Sequence, residues 1–336
     1  MRNYLAIDAG GTSTRAVLLT SSGRCLGYGT AGGGNPVSRG FEGAMEALLN
    51  ASKIALGSTL QPFTTVTVGM AGASLDLPAD LFQQRFRVLG LTGKVMIESD
   101  LLAAFYSGNY QDDGYVLIAG TGAVAARVVG GQLSAVADGT GWLLGDNGSG
   151  FWLGHEVIRA VAAALDGRGV PTSLTELVLT DLGISQDVTS RTQGRISAQQ
   201  QLIVKTYELR PIELSRFAPL VFAVPQDAVA REIIARCAAA LAQTLAAVVE
   251  ASVSGPLIFG GSVLTKGGAV GAAVRERLGR AGISTGPISN PLESEPTLVA
   301  DGVVGAAVLA LKRNGETVDA AVFERITTSL ATLRNN

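Results

Sequence analysis

A carboxylate followed by a glycine turn lies near the start of the chain. Asp8 ends an apolar stretch, and Gly10, Gly11 and Thr12 follow it almost directly. Glycines let the backbone approach an anion closely, and their N–H groups together with a threonine hydroxyl can hold phosphate oxygens. One carboxylate beside phosphate oxygens is also a ligand set that Mg²⁺ accepts. The same residues are common in a plain β-hairpin turn, so the motif alone leaves a purely structural role open.

A second turn of this kind, without the carboxylate, lies further along the sequence. Gly120, Thr121 and Gly122 follow an apolar stretch and precede Ala123. If this turn faces the first one across a cleft, it adds N–H donors and one hydroxyl for a phosphate chain. The first turn is not followed by Gly-Lys-Ser/Thr, and it leads into a strand rather than a helix. These two facts exclude a Walker loop and a dinucleotide-binding fingerprint.

Asp100 stands where an apolar strand ends and an apolar helix begins. From the residues alone, the favoured interpretation is an N-cap of that helix, which Ser99 or Asp100 would fill. The alternative is a general base. His155 is the single histidine of the chain, so a carboxylate is the natural group to accept a hydroxyl proton.

The densest group of glycines and polar residues spans residues 138–150. It includes two aspartates, an asparagine and a tryptophan, and it suits a polyol site in which carboxylate and amide groups hold hydroxyls beside an aromatic face. The candidate residues in this group are Gly141, Trp142, Gly145 and Asp146.

Two further loops have residue types that suit ligand binding. Asn35 precedes Pro36 and is therefore held extended, so its amide could point into a pocket. The small residues Gly260, Gly261 and Ser262 follow an apolar strand and allow a flat ring such as adenine to lie on the backbone.

The elements that must position these residues occur twice. Each glycine turn joins the first two strands of a predicted antiparallel three-stranded meander. A shift of 111 residues places Ile7 on Ile118, and later in the chain residues 66–72 match residues 257–262 in the same order. This self-similarity predicts two related halves that face each other across a cleft.

Predicted helices dominate after the second meander, because apolar residues recur there at helical spacing. A polar stretch at residues 183–197 predicts an exposed linker between two of them. The predicted helices span residues 154–165, 175–182, 197–207, 225–251, 267–279, 296–312 and 316–333.

Composition excludes several classes of protein. The 336 residues include 26 Lys plus Arg against 28 Asp plus Glu, a net charge of −2 that argues against a nucleic-acid or polybasic membrane-surface binder. Cys25 and Cys237 make no disulfide framework, and one histidine excludes sites that need two or three histidine ligands. No signal peptide or membrane span is visible, so we expect a cytoplasmic protein with no membrane partner.

Together, these motifs resemble those of the acetate and sugar kinase, Hsp70 and actin superfamily. Within it, the chain resembles the N-acetylglucosamine kinase-like branch, the BadF/BadG/BcrA/BcrD ATPase family, over nearly its whole length and with the motifs in the family's order. The motifs that carry the resemblance are residues 8–12 and 120–122 (phosphate), 99–104 (catalytic aspartate), 141–149 (sugar) and 260–263 (adenosine). The sugar loop is the motif specific to this branch.

The resemblance implies an α/β fold with two domains, a duplicated ribonuclease H-like (actin-like ATPase) fold with a nucleotide cleft between the domains. Residues 1–114 plus 316–336 would form the N-terminal domain, because the last helix packs back on it. Residues 115–315 would form the C-terminal domain. We also expect a homodimer.

The activity that the resemblance implies is ATP-dependent phosphorylation of an amino sugar, N-acetylglucosamine or glucosamine, at its 6-hydroxyl. ATP and Mg²⁺ are the implied cofactors, with Asp8 as metal ligand and Asp100 as catalytic base. The implied sugar-binding residues are Asn35, Asp100, Gly122, Ala123, Gly141, Trp142, Gly145 and Asp146. The implied nucleotide-binding residues are Gly10, Gly11, Thr12, Thr121, Ala218, Gly260, Gly261 and Ser262.

Two residues depart from the family's pattern. Ala123 stands where serine is frequent and removes a hydroxyl, and Asn147 stands where glutamate is usual and removes a charge. The sugar is therefore open between N-acetylglucosamine, glucosamine and N-acetylmuramic acid. A non-catalytic regulator that binds sugar and ATP is the alternative of another class. Related iron–sulfur activators need cluster-sharing cysteines, and ROK sugar kinases a cysteine-rich zinc loop, and the sequence has neither.

Overall fold

The computed structural model describes residues 2–57, 62–71, 79–187, 189–266, 268–280 and 295–335. Gly72 and Gly267, which the sequence places in two of the predicted elements, lie outside the described residues. Two compact units make up the chain, and each is described by itself. One consists of Met1–Val116, Val128–Ser134 and Thr297–Asn336, and the other of Leu117–Arg127 and Ala135–Pro296.

Twelve strands, twelve α-helices and one 3₁₀ helix (η1) lie within the described ranges. The strands are β1 (Asn3–Ala9), β2 (Thr14–Thr20), β3 (Cys25–Ala31), β4 (Phe63–Met70), β5 (Leu91–Ser99), β6 (Gly114–Ala119), β7 (Ala123–Val129), β8 (Gln132–Asp138), β9 (Arg191–Thr192), β10 (Arg195–Ile196), β11 (Leu257–Gly260) and β12 (Thr297–Val299). The helices are α1 (Pro36–Leu56), α2 (Ala79–Arg87), α3 (Asp100–Ser107), α4 (Gly150–Leu165), α5 (Leu174–Asp181), α6 (Ser197–Tyr207), η1 (Pro211–Phe217), α7 (Leu220–Ala223), α8 (Ala228–Ala246), α9 (Ser262–Thr265), α10 (Ala269–Arg280), α11 (Val303–Arg313) and α12 (Ala320–Arg334).

The first sheet places two carboxylates at one edge. Its strand order is β3-β2-β1-β4-β5, with β1, β2 and β3 antiparallel and β1, β4 and β5 parallel. Asp8 pairs with Arg15 on β2 and with Gly69 on β4. Because the carboxyl ends of parallel strands meet at the same edge of a sheet, Asp8 on β1 and Asp100 directly after β5 come to that edge.

The second five-stranded sheet repeats the topology of the first. Its order is β12-β11-β6-β7-β8, so β6, β7 and β8 correspond to β1, β2 and β3, and β11 corresponds to β4. The two landmarks that the sequence matched therefore occupy equivalent strands, and the predicted duplication is confirmed. The second turn is the shorter one, since Thr14 shifted by 111 residues falls on Ala125 whereas β7 already begins at Ala123.

The core of the first unit follows from the apolar pattern of its elements. Leu5, Ile7 and Val66 from β1 and β4 pack with Met45 and Leu48 of α1 in one buried cluster. Helix α11 is buried along most of its length and packs against α3, β1 and β4, as expected for a helix that is apolar on all sides. Helix α12 packs against β3 and α11.

Several boundaries differ from the sequence prediction, and three of the differences have a clear local cause. The helix predicted over residues 296–312 is wrong in its first part, because Thr297–Val299 forms strand β12 and helix α11 begins at Val303. The β-prone residues favour the strand, and the side chain of Asp301 accepts the N–H of Val303 at 3.2 Å and so marks the helix start. The predicted linker at residues 183–197 contains the hairpin β9–β10. The helix predicted from residue 225 starts at Ala228, after an N-cap by Asp227.

The chain returns to the first unit earlier than the domain boundary that the sequence predicts. That return begins at Thr297 and includes α11 as well as α12, whereas the sequence placed the boundary at residue 316. The functional domain boundaries stay a prediction. Cys25 and Cys237 are both buried and free. None of the helices in the described ranges combines the length and apolar character that a membrane span requires.

The close crossing of α11 and α3 gives a first prediction. A Cβ at Gly305 would lie 1.8 Å from the carbonyl oxygen of Ala103, so Gly305→Ala must push the helices apart. We expect a loss of ~2 kcal/mol or more in the free energy of unfolding, measured by urea denaturation. The matched control is Gly43→Ala on α1, whose Cβ would meet Arg39 Cβ at an ordinary 3.7 Å. The control should gain ~0.5–1 kcal/mol from its better helix propensity, and equal effects of the two changes would contradict the crossing.

Candidate active site

Asp8 is a buried carboxylate near the end of β1. Its Oδ2 atom accepts a hydrogen bond of 2.9 Å from the N–H of Gly302, which lies 294 residues later in the chain. Arg15 on the neighbouring strand places its Nη1 atom 3.7 Å from the same oxygen. A Cβ at residue 302 would come within 2.7 Å of Asp8 Oδ1, so glycine is required where the backbone touches this carboxylate.

The surroundings of Asp8 oppose its negative charge. Burial is the largest effect and raises the pKa of Asp8 to about 7. The N–H of Gly302 and the guanidinium of Arg15 lower the pKa, whereas the nearby charges of Asp301 and Asp100 raise it. Three carboxylates therefore act on one another in the first unit, and a cation beside Asp8 would relieve that repulsion.

Asp100 is the first residue of α3, and Ser99 performs the capping role. The Oγ atom of Ser99 accepts the N–H of Leu101 at 3.2 Å. This hydrogen bond assigns the N-cap to Ser99, so the helix does not need the Asp100 carboxylate for that purpose. Burial raises the pKa of Asp100, and hydrogen bonds from Leu101 N–H and the Ser99 hydroxyl lower it in part. A half-buried carboxylate with a raised pKa is a stronger base than an ordinary aspartate and is suited to accept a proton.

The first glycine turn rests on the loop that leads to Asn35. Gly11 and Thr12 are exposed at the tip of the turn, and the carbonyl oxygen of Gly10 accepts the N–H of Gly34 at 2.9 Å. A Cβ at Gly33 would lie only 2.2 Å from the carbonyl oxygen of Gly11. The turn proposed for phosphate is therefore packed against the loop that leads to the half-buried Asn35.

In the second unit, the turn at residues 120–122 lies beside the predicted adenosine motif. Gly261 has a φ of +85°, and a Cβ there would lie 2.4 Å from the carbonyl carbon of Ala119. Gly260 ends β11, and Ser262 begins α9. The carbonyl oxygen of Gly120 accepts the N–H of Gly150 at 2.7 Å, and Thr121 is exposed. The fold thus brings residues 260–262 against residues 119–120.

Asp146 ties the predicted sugar loop to the same turn. Its Oδ1 atom accepts the N–H of Ala123 at 3.0 Å, and its own N–H donates to Asp138 Oδ1 at 2.7 Å. A Cβ at Gly122 would meet the Asp146 carboxylate at 3.0 Å, and one at Gly145 would meet Asp138 Oδ1 at 2.2 Å. Burial raises the pKa of Asp146, the Ala123 N–H lowers it, and the charge of Asp138 raises it.

The tip of the sugar loop lies at the protein surface. The N–H of Gly145 donates to the carbonyl oxygen of Gly141 at 2.8 Å and closes the turn. Trp142 is 43% exposed, and its ring centroid is 5.7 Å from that of Phe151. An aromatic side chain presented in this way offers a face on which the apolar side of a sugar ring can stack.

Ala218 lies at the end of η1, in the second unit. It is buried, and a Cβ at Gly154 on α4 would lie 3.3 Å from its nitrogen. The described contacts thus join Ala218 to helix α4. Its proposed approach to adenine stays a prediction.

Three residues around Asp8 were missed in the sequence: Arg15, Asp301 and Gly302. The hairpin register already contained a signal for Arg15, which stands directly opposite Asp8. Asp301 and Gly302 gave no comparable signal, because they were assigned to the interior of a predicted helix.

Candidate metal ligands were compared across the described residues. No group of three or more His, Cys, Asp or Glu side chains there is arranged to hold a metal ion by itself. Asp8 suits a cation that takes one carboxylate together with phosphate oxygens and water, which is the preference of Mg²⁺.

Comparison with known proteins gives similar sequences that are named as amino-sugar kinases. A Dictyostelium discoideum protein named N-acetyl-D-glucosamine kinase is 28% identical over 289 residues, which cover 79% of this chain and 86% of that protein. A Vibrio cholerae protein named glucosamine kinase is 29% identical over 184 residues, 53% of this chain and 61% of that protein. The second match therefore spans about three fifths of its relative's length.

A solved structure from Chromobacterium violaceum, provisionally named as an N-acetylglucosamine kinase, has the same fold. It superposes with a TM-score of 0.63 at 22% identity, over 92% of this chain and 99% of that one. The α/β architecture with two five-stranded sheets is thus shared with that structure. The model of the BadF/BadG/BcrA/BcrD ATPase family matches residues 5–310, which confirms the resemblance found in the motifs. The chain belongs to the BadF/BadG/BcrA/BcrD ATPase family.

Proposed function

We propose that this protein is an ATP-dependent amino-sugar kinase that transfers the γ-phosphoryl group of ATP to the 6-hydroxyl of N-acetylglucosamine. The observation that carries the proposal is Asp100, a half-buried carboxylate whose pKa is raised by its burial. Asp100 lies at the same sheet edge as Asp8, and Ser99 supplies the N-cap of its helix. Relatives named N-acetylglucosamine kinase and glucosamine kinase support the choice of substrate class.

The nucleotide is assigned to four segments. Backbone N–H groups at Gly11 and Thr12 and at Thr121 hold the phosphates, and Gly10 shapes the first turn by donating its own N–H to the carbonyl oxygen of Ser13 at 3.0 Å. Gly260, Gly261 and Ser262 contact the adenosine, and Ala218 contacts the adenine. The name of the family supports ATP as the donor. The packing of Gly261 on the Ala119 carbonyl group supports a continuous nucleotide surface in the second unit.

Mg²⁺ is assigned to Asp8. The fit rests on the donor set: the carboxylate is buried, its charge is opposed by Asp100 and Asp301, and Arg15 compensates it only from 3.7 Å. When bound, the cation neutralises charge on the transferring phosphates. The N–H of Gly302 fixes Oδ2 and so orients the carboxylate as a ligand.

The mechanism requires little covalent chemistry from the protein, since phosphoryl transfer depends mainly on positioning and charge stabilisation. Asp100 accepts the proton of the attacking 6-hydroxyl, and its raised pKa makes it a stronger base than an ordinary aspartate. The donors of the two glycine turns stabilise the charge that spreads over the transferring group.

The sugar is assigned to Asn35, Asp100 and the loop around Asp146. One oxygen of Asp146 is engaged by the N–H of Ala123, so Gly122 and Ala123 act chiefly by holding this carboxylate in place for sugar hydroxyls. Gly141 and Gly145 close the turn that presents Trp142 as a stacking face. The cytoplasmic location and the homodimer expected from the sequence stay part of this proposal.

A panel of sugars tests the substrate. We expect ATP turnover with N-acetylglucosamine that exceeds turnover with glucosamine, N-acetylmuramic acid and glucose, measured as ADP release in a coupled assay. A preference for glucosamine or N-acetylmuramic acid would keep the reaction and change the sugar. If none of the four sugars is phosphorylated, the kinase proposal is wrong, and the non-catalytic regulator takes its place.

Asp100→Asn tests the base. The variant should lose ~10²–10⁴-fold in kcat, because that is the usual contribution of a general base. Its affinity for N-acetylglucosamine, measured by equilibrium dialysis, should stay within a few fold of the wild type. The matched control is Asp80→Asn, another aspartate in the first turn of a helix of the first unit, but an exposed one. A kcat for Asp100→Asn close to that of the control would show that Asp100 is not the general base.

Asp8→Asn tests the metal ligand. We expect the variant to lose activity but to gain stability in the absence of metal. In the folded metal-free protein the pKa of Asp8 is about 7 against an ordinary 3.8, so the folded state binds the extra proton. The stabilisation from this proton is complete below pH ~4 and is lost as the pH rises through about 7. Above pH 7 in EDTA, the variant should therefore be more stable than the wild type by ~1 kcal/mol or more, measured by urea denaturation.

The same variant should lose most of its kinase activity and its dependence on Mg²⁺. Stability that falls in the variant at pH 8, or activity that stays unchanged, contradicts the assignment of Asp8. Denaturation at pH 5 provides the internal control, since the wild-type carboxyl is largely protonated there and the two proteins should differ less.

A further inference from the structure

The backbone that orients Asp8 comes from the turn in front of α11. Gly302 donates its N–H to Asp8 Oδ2 at 2.9 Å, and the preceding residue, Asp301, begins the helix by accepting the N–H of Val303. The place of the Gly302 N–H is therefore set by whatever holds Asp301.

Two arginines hold Asp301, whose side chain is 9% exposed. Arg15 places its Nε atom 3.3 Å from Asp301 Oδ2 and its Nη1 atom 3.7 Å from Asp8 Oδ2, so it lies between the two carboxylates. Arg334, in the last turn of α12, places Nη2 at 2.8 Å and 2.9 Å from the two oxygens of Asp301. The guanidinium of Arg334 also lies over the ring of Tyr28, 5.3 Å from its centroid.

These contacts form a chain from the end of α12 to Asp8. If Arg334 is removed, the Asp301 carboxylate has to be balanced by Arg15 alone, and Arg15 is then drawn away from Asp8. The turn that presents the Gly302 N–H also loses its outer anchor. Both effects act on Asp8 Oδ2, although Arg334 itself contacts neither substrate nor metal.

Helix α12 is held against the rest of the first unit by other contacts as well. Arg325 donates to the carbonyl oxygen of Ser22 at 2.5 Å, and Ser329 accepts the N–H of Cys25 at 3.0 Å. Ile326 and Leu330 of the same helix are fully buried. The pairing of Arg334 with Asp301 is thus not needed to hold the helix in place.

We propose that Arg334 is a positioning residue for phosphoryl transfer, which acts through Asp301, Gly302 and Arg15 to hold the Asp8 carboxylate in the orientation that Mg²⁺–ATP requires. This inference rests on the proposed function, since Asp8 is a metal ligand only there. Outer partners of a metal-ligating group typically contribute 10–100-fold to metal affinity or activity.

The first test compares Arg334→Ala with Arg325→Ala. Both changes remove an arginine that joins α12 to the first unit, but the contact of Arg325 ends at the β2–β3 turn. ATP affinity is measured by calorimetry with Mg²⁺ and with EDTA, and kcat with N-acetylglucosamine. We expect Arg334→Ala to lower kcat and the Mg²⁺-dependent part of ATP affinity by ~10-fold or more. Its ATP affinity in EDTA, and all values for Arg325→Ala, should stay within about twofold.

Arg334→Lys keeps the charge but not the planar guanidinium, which donates from Nη2 to Asp301 while it lies over the ring of Tyr28. Its values should therefore lie between those of the wild type and Arg334→Ala. Equal losses for Arg334→Ala and Arg325→Ala, in proportion to their losses of thermal stability, would overturn the proposal and leave Arg334 as an anchor of the helix.

A second test needs neither metal nor sugar. The unfolding free energies of Asp8→Asn, Arg334→Ala and the double variant are measured in EDTA at pH 8. Positional coupling through Asp301 and Arg15 predicts effects that do not add, whereas additive effects overturn the proposal. If the wild type phosphorylates no sugar, the proposed function fails while this cycle still reports whether Arg334 acts on Asp8.

Discussion

The buried Asp8 carboxylate is the constraint on which the first unit depends. A charge taken out of water must be matched by donors or cations, and here one N–H from Gly302 and a distant Arg15 supply only part of the compensation. Because its charge is only partly compensated, the pKa of Asp8 is raised to about 7. The charged carboxylate is therefore destabilised when no cation is bound, and a cation beside it would stabilise the folded state. The same need for compensation dictates local sequence, because only glycine at position 302 lets the backbone reach Asp8 without a clash.

The two five-stranded sheets have the same strand order, but the charged groups beside their first turns differ. In the first unit the residue near the end of the first strand is charged, and the helix that begins beside it comes from the far end of the chain. In the second unit the equivalent turn has no charge of its own, and the carboxylate beside it belongs to Asp146, from the loop after β8. The two turns therefore differ in charge: a carboxylate that favours a cation lies beside the first, and the second has only neutral polar groups of its own.

Local motifs could be predicted from the sequence because they depend on neighbouring residues. The turns after Asp8 and before Ala123, the repeated meander and the family itself all follow from short patterns, and the strand order confirms the repeat. Arg15 could have been predicted as well, since a two-strand register with a known turn places it opposite Asp8. The pairing of Asp8 with Gly302 could not, because residues 294 positions apart share no periodicity. An apolar run from Pro296 onward also concealed the turn at Asp301 within a predicted helix.

Two aspartates at one sheet edge can have different roles because their surroundings differ. Asp8 receives a backbone N–H and faces an arginine, which favours its charged form, while two neighbouring carboxylates oppose that form. Asp100 has a helix N-terminus and the Ser99 hydroxyl beside it, and burial remains the dominant influence on its pKa. Burial is the largest effect on both pKa values, so the difference between the two carboxylates is Arg15, which acts on Asp8 and is not among the groups that shift the pKa of Asp100. The proposed assignment of Asp8 to the metal and Asp100 to the proton agrees with this difference, since exchanging the two roles would place the base where an arginine competes for its electron pair.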